Sequence, residues 1–187
     1  MKGMVFKFFE QHVAARLGEE ALDDLLDHPG LSTGGAYTSV GNYPTSDLTC
    51  MVTTLSERTG LPVKDLLNTF GHDLFRNLAE GHSAIMAKFD DCLDMLAGIE
   101  SVIHRDVRKL YNDAELPRFE VMTHERGQRI VLVYSSSRPF ADLAHGLIQG
   151  ALAYYGVSER AAVTRKDLSP DGTNAQFDIA LLRSDAD

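Results

Sequence analysis

Tyr134, Ser136 and Arg138 alternate in the stretch Tyr134-Ser135-Ser136-Ser137-Arg138. On an extended strand alternate side chains share a face, so a phenol, a hydroxyl and a guanidinium would line up with about 6.6–7 Å between neighbours. That trio suits one or two carboxylates, because arginine supplies a bidentate positive fork and the hydroxyls supply neutral donors. The same stretch also reads as an ordinary strand end running into a helix N-terminus, short patterns of this kind being common. His104 lies in Ser101-Val102-Ile103-His104-Arg105-Asp106-Val107, at the edge of an apolar helical stripe. A neutral imidazole there can ligate a metal through one ring nitrogen while the other donates a hydrogen bond. It can equally be a satisfied boundary histidine. No second His or Cys stands nearby at ligand spacing, so His104 alone cannot hold a bare zinc ion.

A haem escapes that objection, because the macrocycle brings its own equatorial nitrogens and the protein need add only an axial one. It also requires an apolar slot and donors for its propionates. His104 on one element and Tyr134, Ser136 and Arg138 on another offer the axial nitrogen and the donors.

The elements that must position these groups form two compositional halves without a linker. Residues 1 to about 112 read as helices, and residues from about 113 to 187 as strands with one helix among them. The expected class is α+β in one domain spanning 1–187: a helical half packed on a half with a mainly antiparallel four-stranded sheet and a helix, the cofactor between them. The first helices are expected at about 3–17 and 19–27, stopped by His28-Pro29-Gly30. Ser46 is a suitable N-cap for a helix near 47–58, and Pro62 suits the first turn of another running to Gly81. Gly71 inside that pattern permits a kink or a close approach, or is simply tolerated. The longest pattern runs from about Ser83 to Tyr111, with Ile85, Phe89, Cys92, Leu96, Ile99, Ile103, Val107 and Leu110 on one face. Asn112, Asp113 and Leu116-Pro117 should end it. Phe119–Thr123 and Arg129–Tyr134 read as a hairpin. Pro139 can start a helix with Leu143 and Leu147 on its buried side, and two strands follow at about 160–167 and 175–183.

The 18 Lys and Arg against 27 Asp and Glu leave a formal charge of −9, which argues against nucleic acid or an anionic membrane surface as partner. At 44% hydrophobic and 24% charged residues the chain has a globular composition. Cys50 and Cys92 show neither disulfide nor zinc spacing, and their helical setting favours plain packing. With no secretion signal and no apolar run long enough to span a membrane, a cytoplasmic location is expected.

The order and spacing of several blocks resemble the haem-nitric-oxide/oxygen-binding (H-NOX) domains, which are similar to the sensor region of soluble guanylate cyclase. These are Met1-Lys2-Gly3, His104-Arg105-Asp106-Val107-Arg108-Lys109-Leu110-Tyr111, Ala114-Glu115-Leu116-Pro117-Arg118-Phe119 and Tyr134-Ser135-Ser136-Ser137-Arg138. The resemblance implies haem b (iron protoporphyrin IX), with His104 as the proximal iron ligand and Tyr134, Ser136 and Arg138 as the propionate clamp. It implies that Pro117, with Val5, presses on the porphyrin. The distal positions to read are Val5, Phe9, Leu74 and Leu143. Oxygen-binding members carry a tyrosine where this chain has Leu143, and supporting polar residues where it has Phe9 and Leu74. Bound oxygen carries partial negative charge and gains from a donor, whereas nitric oxide does not need one. The implied function is therefore a nitric oxide sensor that also takes carbon monoxide and forms no stable oxygen complex. His72 and Asp73 are expected to be solvated helix residues.

By the same resemblance, nitric oxide weakens the His104–iron bond, frees the long helix and lets the two halves shift. The signal would pass to a separate histidine kinase or a cyclic-di-GMP cyclase or phosphodiesterase. Asp90, Asp91 and Asp94 could form the contact, or simply a solvated face. Asn112 departs from the proline common in relatives. No enzyme is expected. The competing readings are an enzyme in which the Tyr134/Ser136/Arg138 clamp holds an anionic substrate with His104 as general base, and a haem-free interaction scaffold.

Overall fold

Helix α1 (Gly3–Leu17) is anchored at its first residue. Gly3 N donates to Gly41 O at 2.8 Å, and a Cβ there would lie 1.8 Å from Thr38 O, so no larger residue lets the loop reach α1. The computed structural model describes residues 1–111 and 114–182, and the expected stop at Asn112 and Asp113, with the departure at Asn112, lies outside them. Helix α2 (Glu19–Leu26) follows α1 directly. Helix α3 (Thr45–Thr59) begins after Pro44, whose backbone is extended. The start therefore falls before Ser46, which does not cap it. Asp47 replaces that cap in importance: it is buried, and its Oδ2 accepts from Ser32 N, Ser32 Oγ and Tyr37 OH at 3.2, 2.7 and 2.9 Å. One carboxylate thus ties the glycine-rich loop to α3.

Helix α4 (Val63–Gly81) starts just after Pro62. The long helix expected from Ser83 to Tyr111 is instead divided into α5 (Ser83–Met86), α6 (Cys92–Ala97), a π-helical turn (Ile99–His104) and α7 (Arg105–Leu110). The cause is local. Asp91 adopts an extended backbone and its side chain accepts from Asp94 N at 2.8 Å, the geometry of an N-cap, so it starts a helix where periodicity alone continued one.

Strands β1 (Arg118–Glu125) and β2 (Arg129–Ser135) form the expected hairpin, with a register shift between Val121 and Thr123. Helix α8 (Ala141–Tyr154) begins two residues after Pro139 and leads through a 3-10 turn (Ser158–Arg160) to β3 (Ala161–Asp167) and β4 (Asn174–Leu181). The sheet has the order β1-β2-β4-β3 and is antiparallel throughout. The class is α+β, as expected.

Two apolar clusters fill the molecule. The first joins α1 to α4 around Phe6, Phe9, Met51 and Phe70. The second joins Ala79, Met86 and α6 to the sheet and α8 around Leu93, Ile130 and Phe177. The core therefore divides near the end of α4, and not where the composition changes at about 112. Helices α4 and α8 form the most extensive helix–helix contact. A Cβ on Gly71 would lie 2.4 Å from Leu143 O, so the close approach allowed by that glycine is the one realised. No helix of the described residues is long and apolar enough to cross a membrane.

Candidate functional site

Between the two clusters lies a cavity of about 580 Å³, within the range of small-molecule and cofactor pockets. An apolar annex of about 250 Å³ adjoins it, and His104, Val5 and Leu147 line both. Of the expected site residues, His104, Pro117, Tyr134, Ser136, Arg138, Val5, Leu74 and Leu143 all line the main cavity. Phe9 does not. One turn further along α1 than Val5, its ring is 1% exposed and meets Phe70 edge-on at 5.0 Å in the helical core. His72 and Asp73 are also absent from the lining. Asp73 is not merely solvated, since its Oδ2 pairs with His12 Nδ1 and Arg16 Nη2, each at 2.9 Å.

His104 closes the π-helical turn, where Ile103 N donates to Gly98 O at 3.2 Å, five residues back. Such turns re-aim the side chains that follow and recur at functional sites. The His104 ring is buried, and its Nδ1 lies 2.7 Å from Glu100 Oε1. Its pKa is lowered, because burial penalises the cation more than Glu100 favours it. The ring is accordingly neutral, with Nδ1 donating to Glu100 and Nε2 left as a lone-pair ligand. Burial also disfavours the Glu100 anion, but hydrogen bonds from Phe119 N and His104 outweigh it and lower the carboxyl's pKa.

The clamp is built differently from the sequence expectation. β2 ends at Ser135, so alternation along a continuing strand does not align the three groups. The chain turns instead: Ser136 N donates to Thr173 O at 2.9 Å, and Arg138 N donates to Ser136 Oγ at 3.1 Å. The turn still delivers all three side chains to one cavity wall. Tyr134 is 2% exposed, burial raises its phenol pKa, and its hydroxyl has Arg138 O at 3.5 Å, too long for a firm bond. Arg138 pairs with the Glu115 carboxylate and donates to Glu115 O at 3.1 Å.

Sequence reasoning passed over several lining residues. Leu78 and Leu147 stand four residues after Leu74 and Leu143, and helical periodicity alone would have found them. Glu100, which partners His104 without lining the cavity, carried the same signal four residues before it. Lys2 and Tyr43 reach the cavity through long-range contacts with no local signature, although the Tyr43 hydroxyl already accepts from Thr38 N at 2.8 Å. The acidic run is mostly structural, with Asp91 capping α6 and Asp94 bound to Arg126 at 2.7 Å and His124 at 3.1 Å. Cys92 is buried, which pushes its thiol up to about 12.

Among the described residues no group of three or more His, Cys, Asp or Glu could hold a metal ion. One imidazole, an apolar slot, a buried phenol, a hydroxyl and an arginine lining the same cavity instead fit a flat apolar cofactor that brings its own metal ligands and carries acidic groups. That set defines a haem-binding α+β domain. The chain matches the model of Haem-NO-binding domains over residues 2–162, and it belongs to that family.

Solved relatives extend the likeness over the whole fold. The Fe(II) unliganded H-NOX protein from K. algicida is 31% identical with a TM-score of 0.92, 100% of each chain being covered. The IWP-051-bound H-NOX from Shewanella woodyi, in the Fe(II)CO ligation state, is 38% identical with a TM-score of 0.81, covering 100% of this chain and 97% of that one. An H-NOX protein from S. oneidensis in the Fe(II)NO ligation state is 29% identical with a TM-score of 0.84, covering 98% of this chain and 100% of that one. No curated protein matches the chain.

Proposed function

We propose that residues 1–187 form one domain, a non-enzymatic nitric oxide sensor that holds haem b through His104 and passes its signal to a separate protein. The observation that carries this reading is the setting of His104: a buried ring on the cavity wall, its Nδ1 bound to Glu100. Bound haem would supply a ferrous iron that takes nitric oxide, with His104 as the residue that would hold it.

The chain's own residues do the rest. His104 offers Nε2. Arg138, Ser136 and Tyr134 hold the propionates by charge-assisted and neutral hydrogen bonds. Pro117 and Val5 would press on the ring, and the apolar Leu74 and Leu143 would exclude water without donating to a bound gas. That wall favours nitric oxide and carbon monoxide over a stable oxygen complex. His104 would tie the π-helical turn and α7 to the cofactor, and loss of that tie would let the cluster containing the sheet shift against the α1–α4 cluster, a two-state element of the kind a switch requires. The receiving partner in this proposal is a histidine kinase or a cyclic-di-GMP cyclase or phosphodiesterase, and the location is cytoplasmic.

Absorption spectra of the purified protein, reduced under argon and then exposed separately to oxygen and nitric oxide, test the reading. The expected result is a ferrous haem that forms no stable oxygen complex and becomes five-coordinate with nitric oxide. A colourless protein that also refuses added haem would overturn it, and a stable oxygen complex would overturn the selectivity.

A further inference from the structure

Glu100 stands where three separate elements meet. From the π-helical turn its Oε1 lies 2.7 Å from His104 Nδ1 and accepts Phe119 N, in β1, at 3.0 Å. Its Oε2 lies 3.5 Å from Arg108 Nη2, in α7. The Phe119 ring itself lies 6.1 Å from the His104 ring and 5.5 Å from that of Tyr134. The first of these bonds fixes which nitrogen of His104 carries the proton. The second fixes the carboxylate against the sheet, so the imidazole is oriented from the sheet through Glu100 and not only from its own helix.

We propose that Glu100 is a positioning residue that sets the strength of the His104–iron bond and couples that bond to β1. This rests on the haem reading above and adds to it a residue that acts only through His104. A charged acceptor on Nδ1–H pushes electron density onto Nε2 and makes the ring a stronger donor, as outer carboxylate partners of ligating histidines do. A stronger donor resists the weakening imposed from the opposite face, so Glu100 slows the loss of His104 once nitric oxide binds. The Phe119 bond gives that loss a direct mechanical readout, because a departing His104 pulls the same oxygen that holds Phe119 at the start of β1.

Glu100→Gln separates charge from structure. The amide oxygen can still accept from His104 Nδ1 and Phe119 N, while the negative charge is gone. Resonance Raman spectra of the ferrous haem protein, read at the iron–histidine stretch, should show a downshift in Glu100→Gln. Stopped-flow mixing with nitric oxide should show conversion to the five-coordinate form about tenfold faster, at the low end of what outer partners of a metal ligand contribute. Glu100→Ala should in addition speed hydrogen exchange at Phe119 N–H, with or without haem.

An unchanged stretch and an unchanged conversion rate in Glu100→Gln would overturn the proposal. A Phe119 amide no less protected in Glu100→Ala would remove the coupling to β1. Wild-type protein that shows no iron–histidine band at all would instead overturn the haem reading itself, so the two failures are distinguishable.

Discussion

Arg138 and Glu115, 23 residues apart in sequence, hold each other at the cavity wall: one guanidinium nitrogen donates to Glu115 O at 3.1 Å and another pairs with the Glu115 carboxylate. Both residues line the cavity, yet only 15% of the Arg138 side chain is exposed, against 79% for Glu115. The arginine is thus fixed by its surroundings, whereas the glutamate carboxylate is the part that can swing into solvent. An entering acid group meets a preoriented cation whose present partner is easily displaced.

Arg138→Ala should therefore weaken haem retention about 10- to 100-fold, the equivalent of the roughly 1.5–3 kcal/mol that a hydrogen bond to a charged group contributes. Glu115→Ala should leave retention unchanged or improve it, since the carbonyl contact persists. Transfer of haem to an excess of a scavenging apoprotein measures both, and equal losses in the two variants would count against the clamp.

His104→Gly should abolish the iron–histidine stretch while leaving the propionate clamp and the apolar walls in place. Free imidazole can enter the space vacated and should restore the band, because the remainder of the site needs only a neutral nitrogen at that position. If the ferrous spectrum of His104→Gly matched the wild type, another residue would be the ligand.

The α+β class, the hairpin and the α4 pattern were legible in the sequence because each rests on local periodicity and punctuation. The helix expected over 83–111 was not, because Asp91 acts through a single cap bond that overrides an otherwise continuous stripe. In the site, His104 and the Tyr134/Ser136/Arg138 stretch were legible from residue chemistry, which already pointed to a haem, and the family blocks made that reading specific. The turn at Ser136 that replaces strand alternation depends on Thr173 in the loop before β4, which no local pattern announces. Phe9 was misplaced for a related reason: position along α1 says which face a residue shares with Val5, but not where the cavity stops and the core begins.

Leu143→Tyr should give the apolar wall a donor. A single added hydrogen bond contributes about 1 kcal/mol, so oxygen dissociation should slow by up to roughly tenfold and become resolvable by stopped flow. The gain stays small because the neighbouring cavity residue Leu74 offers the new hydroxyl no polar support. Leu143 is 7% exposed and sits where α8 meets α4, so the larger side chain should also destabilise the fold by about 1–3 kcal/mol. Oxygen kinetics identical to wild type would mean that Leu143 does not face the gas.

Asp47→Ala removes the acceptor of three hydrogen bonds and strands the Tyr37 hydroxyl, which is 7% exposed as a residue. Leaving one buried donor unpaired costs about 1–3 kcal/mol, and losing the anchor of the glycine-rich loop should place the total near the upper end. Urea unfolding should show the loss as a lower midpoint with little change in slope, and a midpoint equal to wild type would mean that the loop is held by other contacts.

Stability should also fall on mild acidification, through histidines outside the cofactor site. His12 and His145 both have folded pKa values below the ordinary value, in each case chiefly because burial penalises the cation; Asp73 opposes the shift at His12, whereas Arg165 adds to it at His145. The unfolded chain therefore takes up protons near pH 6.5 that the folded chain still refuses. Between the two values the unfolded state binds more protons, so the stability these groups contribute is fully present above about pH 6.5 and is lost as pH falls through the folded values. Carboxylates with lowered pKa values, such as Asp94 beside Arg126 and Asp178 beside Arg129, add a second loss only on stronger acidification. Urea midpoints measured from about pH 7.5 to pH 5 should decline, and His145→Gln, which keeps a polar side chain but cannot titrate, should decline less steeply. Parallel slopes for the two proteins would show that His145 carries none of the effect, and would shift it to His12, where His12→Gln repeats the test.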